Sequence, residues 1–69
     1  MERRANAEWV RIRQRRVIDD GEYYAERLYE TRQAATSYAR EAQRLGKEVL
    51  VLPTASEGGH RGYAVFVER

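Results

Sequence analysis

The sequence predicts a two-layer α+β domain in which an antiparallel sheet of about four strands (ββαββ) carries one helix on one face. Three observations predict it. Apolar and polar residues alternate from Trp9 to Ile18, an alanine-rich stripe at helical spacing follows Thr31, and two short apolar segments separated by a glycine-rich loop come last. Sixty-nine residues are enough for one domain. We assign it to residues 9–69, with residues 1–8 (MERRANAE) as a flexible basic arm.

The first predicted strand has two different faces. The even-numbered residues, one parity of the alternation, are mostly apolar. The odd-numbered residues, the other parity, are three arginines with an aromatic residue before them and an aliphatic residue after them. The apolar parity holds Val10, Ile12 and Ile18, and the second holds Trp9, Arg11, Arg13, Arg15 and Val17. Because a helix packs on the apolar face of a sheet, we expect the first parity to meet the helix.

Residues 19–30 allow two interpretations. In the first, Asp20-Gly21 is a hairpin turn, and a second strand pairs Ile18 with Tyr23, Arg15 with Glu26 and Ile12 with Tyr29. Tyr24, Glu26, Leu28 and Glu30 then share the face of the arginines, while Tyr23, Ala25 and Tyr29 join the apolar face. In the second, Asp19 caps a long helix that ends near Leu45, and the order is βαββ.

Both interpretations agree on the rest of the chain. Thr31 is expected to cap a helix over Arg32–Leu45, and Gly46 to end it. Lys47–Leu52 is apolar on both parities, which predicts an inner strand that Pro53 ends. A loop over residues 54–62 follows. Tyr63–Arg69 is then the last strand, antiparallel to the one before it.

The composition excludes most catalytic chemistry. There is no cysteine and only one histidine, His60, so no disulfide, thiolate nucleophile or zinc site is expected. Asp19 and Asp20 are neighbours that point apart, whereas catalytic carboxylates must face each other. The glycine-rich segment around His60 lacks the spacing of a phosphate-binding loop. We therefore expect a protein that is not an enzyme and needs no cofactor or metal.

The sequence also lacks membrane and export signals. No apolar run approaches the length of about 20 residues that a membrane span needs, and Arg3 and Arg4 are not followed by the apolar segment of a signal peptide. We expect no membrane partner and a cytoplasmic location, in the host cytoplasm for a phage-encoded protein.

Positive charge is concentrated at the start of the chain. The net charge is +2, yet residues 1–16 alone carry +4, and twelve of the thirteen cations are arginine, whose planar guanidinium suits phosphate. Arginines interleaved with aromatic rings on an open sheet face are typical of nucleic-acid binding. The candidate contact residues are Trp9, Arg11, Arg13, Arg15 and Tyr24 on the sheet, with Arg3 and Arg4 on the arm.

One resemblance points the same way. Trp9-Val10-Arg11, Asp20-Gly21 and the run Tyr29–Ala35 resemble the arm-binding domain of tyrosine-type phage integrases. In that family a small sheet with a tryptophan and arginines precedes a helix, which implies binding in a DNA groove. The resemblance covers about half of the chain. This sequence has two predicted strands before the helix rather than three, and it ends in two strands.

The sequence predicts a small basic accessory or regulatory protein that binds nucleic acid through phosphate contacts, of the kind that phages and plasmids encode. The alternative is a regulator or inhibitor that binds another protein through a sheet edge or a tyrosine-rich face, because tyrosine and arginine are favoured interface anchors. The two differ in salt dependence, which is steep for phosphate contacts. A monomer and a homodimer are both compatible with the sequence.

Overall fold

The computed structural model describes residues 9–69, and the predicted arm at residues 1–8 lies outside them. It confirms the predicted class: one four-stranded antiparallel sheet in ββαββ order, with one helix packed on it. The elements are β1 (Trp9–Ile18), β2 (Gly21–Tyr29), α1 (Arg32–Arg44), β3 (Val49–Ala55) and β4 (Arg61–Glu68). The strands lie in the order β1-β2-β4-β3, so β1 and β3 are the edges.

The hairpin interpretation of residues 19–30 is confirmed, but the predicted turn is one residue out. Asp19 and Asp20 form the turn with φ of 49° and 69°, and Ile18 pairs with Gly21. Aspartate tolerates this left-handed region, which both central residues of a type I′ turn require. Consequently Arg15 pairs with Tyr24, not with Glu26, and every other predicted pair moves as well.

The helix and both of its ends follow the sequence prediction closely. The Thr31 hydroxyl accepts a hydrogen bond from the amide of Ala34 at 3.1 Å. At the other end Leu45 is the cap, Gly46 adopts a φ of 87°, and the amide of Lys47 donates to the carbonyl of Ala42, as in a Schellman motif. Within residues 9–69 no helix is long and apolar enough to cross a membrane.

Thr31→Ala should lower the free energy of unfolding by about 1 kcal/mol, because it removes the acceptor for the amide of Ala34 at the first turn of α1. Urea denaturation followed by circular dichroism measures this loss. Thr31→Ser keeps the hydroxyl and is the matched control. Equal losses in the two variants would contradict the capping role.

The last two strands differ from the prediction in their order within the sheet and in their residue bounds. The segment expected to be an inner strand is the edge strand β3, and Pro53 lies inside it, where an edge strand tolerates proline. The inner strand is β4, which begins at Arg61, so the loop is shorter than expected and covers residues 56–60. The antiparallel pairing of β3 with β4 is confirmed.

The helix packs on the face of the sheet that carries the odd-numbered residues of β3 and β4. Ala35 and Ala39 of α1 are buried there against Tyr29 and Val65, with Val49, Val51, Tyr63 and Val67 packed around them. Small alanine side chains let the helix lie close to the sheet. This face also belongs to the arginine parity of β1, so the prediction that the apolar parity would meet the helix is wrong.

The apolar parity instead forms a second core on the face without the helix. Its centre is Phe66 and Ala64, both 0% exposed, with Ile12, Tyr23, Ala25 and Leu28 around them. In this core Val10, Ile18, Leu50 and Leu52 are partly buried. Apolar side chains are buried here because the sheet encloses its own concave face.

Contacts between the two edge strands show how strongly the sheet curls. In a flat four-stranded sheet about 14 Å would separate β1 from β3, farther than a side chain reaches. Yet Gln14 Nε2 donates to the carbonyl of Ala55 at 2.8 Å, and Thr54 Oγ1 donates to Gln14 Oε1 at 3.1 Å. Arg16 donates to Thr54 Oγ1 and lies over the ring of Phe66. Register shifts after Arg11 and after Ala25 accompany this curvature.

Candidate nucleic-acid interface

The structure brings the predicted contact residues of β1 and β2 together on one face. Trp9, Arg11, Arg13 and Arg15 occupy alternate positions of β1, and Tyr24 is the cross-strand partner of Arg15. The three arginines are exposed, and Tyr24 is half-buried. The other two predicted contacts, Arg3 and Arg4, lie outside the described residues.

This face is the one that α1 covers in part. The helix packs mainly on β3 and β4 and less on β2, so β1 lies at its margin. An open groove is left between the hairpin and the helix. Arg11, Arg13 and Tyr24 line it on the hairpin side, and Tyr38, Ala42 and Leu45 line it on the helix side. The hairpin wall thus carries cations, and the helix wall carries apolar side chains among charged ones.

Arg27 is a residue of this face that the sequence interpretation missed. Simple alternation along β2 places Arg27 on the apolar face. The register shift after Ala25 exchanges the two faces, so Arg27 lies on the face of the arginines instead. Leu28, predicted to lie among the arginines, is buried in the second core, and Tyr29, predicted for the apolar face, packs under the helix. The three-residue step from Ala25 to Leu28 between buried apolar residues is the signal that could have revealed the shift.

The guanidinium of Arg27 is held between two aromatic rings. Its Cζ lies 4.3 Å from the ring centroid of Trp9 and 4.5 Å from that of Tyr38. Its Nη1 donates to Tyr29 Oη at 2.9 Å, and this hydrogen bond raises the pKa of Arg27 above its ordinary value. The stack joins β1, β2 and α1, and it covers one face of the Trp9 ring.

Arg15 is neutralised by a neighbour on the opposite strand. Its Nη2 lies 2.6 Å from Glu22 Oε2, and its Nε donates to the same oxygen at 2.7 Å. The hydrogen bond and the charge of Glu22 raise the pKa of Arg15, and the same hydrogen bond lowers the pKa of Glu22. Arg11 and Arg13 take part in no ion pair with any residue from 9 to 69.

Further charges surround the groove. The guanidinium of Arg69 lies over the ring of Tyr24, 5.2 Å from its centroid, and Lys47 follows the end of α1. Four glutamates also line the groove: Glu26, Glu41, Glu57 and Glu68. Glu41 is paired with Arg44 at 3.2 Å. Positive charge therefore predominates on the hairpin side, and acidic charge is present beside it.

The other sequence features considered for chemistry do not form a catalytic cluster. His60 is exposed in the loop between β3 and β4, where its amide donates to Ser56 Oγ at 3.1 Å, and this loop lines one end of the groove. Asp19 and Asp20 are exposed turn residues. We find no group of three histidine, cysteine or acidic residues that could hold a metal ion among residues 9–69.

Comparisons of the chain with protein-family models, with curated proteins and with solved structures find no match. Function is therefore inferred from the residues of the chain itself.

Proposed function

We propose that the protein binds nucleic acid along the groove between the β1–β2 hairpin and α1, as an accessory or regulatory protein without catalytic activity. The observation that carries the proposal is the exposed pair Arg11 and Arg13 on the groove side of β1. Two exposed guanidinium groups on the same face of one strand can contact neighbouring phosphates of a nucleic-acid strand.

Two aromatic residues on the face of the arginines support the same proposal. Trp9 is 38% exposed, and Tyr24, the cross-strand partner of Arg15, lies on the groove wall. Aromatic rings beside a row of cations let a protein bind the bases and the backbone of one strand together. The remaining predicted cations, Arg3 and Arg4, would add phosphate contacts from the arm.

The alternative of a tyrosine-rich protein-binding face has less support in this geometry. Tyr23 and Tyr29 are 9% and 4% exposed, so they contribute to the two cores and are not available as interface anchors. Tyr38 packs against Arg27. A protein partner would then have to dock on an edge of the sheet, β1 or β3. The arginines and the bulge of β1 and Pro53 of β3 are features that discourage strand pairing.

The proposal is tested by titrating the fluorescence of Trp9 with single-stranded and duplex oligonucleotides at several salt concentrations. The expected result is a saturable change that fades as salt rises. A folded protein whose fluorescence does not respond at low salt, and which retains no oligonucleotide on a filter, would contradict the proposal and favour a protein partner.

Replacing both Arg11 and Arg13 by glutamine should weaken binding and flatten its salt dependence. Loss of two phosphate contacts to a single strand lowers the slope of log K against log salt by about 1.4. The matched control is the pair Arg40→Gln and Arg61→Gln, which removes the same charge from exposed arginines outside the groove. Equal slopes for the two double variants would show that charge alone, and not this face, governs binding.

Glu22→Gln should strengthen binding, because it releases Arg15 from its ion pair. One additional phosphate contact would steepen the same slope by about 0.7. The free energy of unfolding should change little, since exposed ion pairs contribute little to stability. Glu48→Gln makes the same change of charge at an exposed residue that takes part in no ion pair within residues 9–69. An equal gain in affinity from this control would contradict a specific role for Arg15.

A further inference from the structure

Two arginines face each other directly across the hairpin. Arg11 of β1 is the register partner of Arg27 of β2. Directly opposed residues of an antiparallel pair have their Cβ atoms about 5 Å apart, and like charges in such positions repel. Among residues 9–69 the ion pairs are Arg15 with Glu22 and Arg44 with Glu41, so neither Arg11 nor Arg27 has a carboxylate partner there.

Arg27 is unusually well fixed for a surface arginine. Its Cζ lies within 4.5 Å of the ring centroids of both Trp9 and Tyr38, and Tyr29 Oη accepts from Nη1. A guanidinium has five N–H donors in one plane. The N–H groups that do not donate to Tyr29 are the part left for a ligand, and because the group is already immobilised, binding loses little side-chain entropy.

The same stack fixes Trp9 next to this pair of charges. One face of the indole lies on Arg27, and 38% of the residue stays exposed. A flat ring beside two directly opposed arginines matches a nucleotide, whose base stacks while its phosphate accepts hydrogen bonds from the guanidinium groups.

We propose that Arg11 and Arg27 together bind one phosphate group of the nucleic acid, while the adjoining base stacks on Trp9. This site rests on the proposed function and specifies where on the groove a strand is anchored. The phosphate belongs either to the end of a strand, where it carries up to two charges, or to its interior, where it carries one.

The test is an NMR titration of the full chain that follows the side-chain Nε–H signal of Arg27 and the indole N–H signal of Trp9. The probes are thymidine 5′-monophosphate, inorganic phosphate and thymidine. Thymidine 5′-monophosphate should shift both signals, inorganic phosphate should shift the Arg27 signal alone, and thymidine at the same concentration should leave the Arg27 signal in place.

Arg11→Gln should weaken binding of thymidine 5′-monophosphate about tenfold, because one charge-assisted contact is lost. Arg11 is exposed, so this variant should fold as the original does. Arg40→Gln removes an exposed arginine of α1 and should leave the affinity unchanged. Equal weakening in both variants, or an Arg27 signal that no phosphate-containing probe moves, would overturn the site.

Oligonucleotides separate this inference from the function on which it rests. An oligothymidylate that binds the groove while the Arg27 signal stays in place would contradict the phosphate site and leave the proposed function standing. Binding of phosphate without any binding of oligonucleotides would support the site and contradict the proposed function. Tighter binding of a 5′-phosphorylated oligothymidylate than of its 5′-hydroxyl form assigns the site to a terminal phosphate, and equal binding assigns it to an internal one.

Discussion

Phe66→Ala is expected to lower the free energy of unfolding by about 3–5 kcal/mol. Phe66 is 0% exposed at the centre of the helix-free core, opposite Ala25 on one side and Leu50 on the other. Truncation would leave a cavity beneath the curled sheet and remove the ring over which Arg16 lies. At about 0.05–0.15 kcal/mol per residue, a chain of this length has about 3–10 kcal/mol of stability in total. If the stability of the unchanged protein lies at the lower end of that range, the variant is expected to be mostly unfolded.

Urea denaturation followed by circular dichroism measures this effect. Leu45→Ala is the control, because Leu45 is 79% exposed and its truncation should change stability by less than about 0.5 kcal/mol. Losses of similar size in the two variants would mean that the face without the helix is not a packed core, and the curled sheet would then be wrong.

Gly62→Ala is expected to be the most destabilising change at any glycine, at about 3 kcal/mol. A Cβ at this position of β4 would collide with the carbonyl oxygen of Tyr29 in the neighbouring strand and would also lie 3.5 Å from Leu28. A backbone carbonyl cannot turn aside as a flexible side chain can. The two inner strands would have to separate where the register of β2 has just shifted.

Gly58→Ala provides the comparison for Gly62→Ala. The nearest heavy atom to a Cβ there is Ser56 Oγ at 3.9 Å, and the backbone of Gly58 lies outside the left-handed region. Thermal unfolding should show a change of less than about 1 kcal/mol for this variant. Equal midpoints for the two alanine variants would contradict the close approach of β4 to β2.

Local signals in the sequence predicted most of the fold. The alternation of β1, the cap at Thr31 and the glycine after Leu45 each act over a few residues, and the structure confirms the elements that they predict. The choice between hairpin and helix at residues 19–30 was open on local grounds. Pairing of β2 with both β1 and β4 stabilises the strand, and a local pattern does not contain that information.

The errors come from contacts between distant residues. The Asp-Gly preference placed the turn at Asp20-Gly21, yet Gly21 lies in the strand, where a Cβ would come within 2.6 Å of the Glu68 carboxylate. Proline predicts a strand end at Pro53, whereas β3 is an edge strand that tolerates it, and the sequence does not say which strand is an edge. Alternation predicts that the apolar face of β1 meets the helix, because it contains no information on the curvature that buries a second face.

The candidate site was predicted in part. Alternation was sufficient to place Trp9, Arg11, Arg13 and Arg15 on one face of β1, and the hairpin was sufficient to add Tyr24. The sequence pattern could not show that Glu22 neutralises Arg15, because that ion pair depends on which two residues form the hairpin turn. Nor could it find Arg27, whose position depends on the register shift in β2.

The most direct test of the proposed interface is a map of backbone amide shifts when a short oligothymidylate is added to the protein labelled with nitrogen-15. The expected shifts cluster on the groove side of Trp9–Arg15 and around Tyr24 and Arg27, and they disappear as salt is raised. Shifts confined to β3 and to the first turn of α1, or no shifts at low salt, would contradict the proposal that this protein binds nucleic acid along its first hairpin.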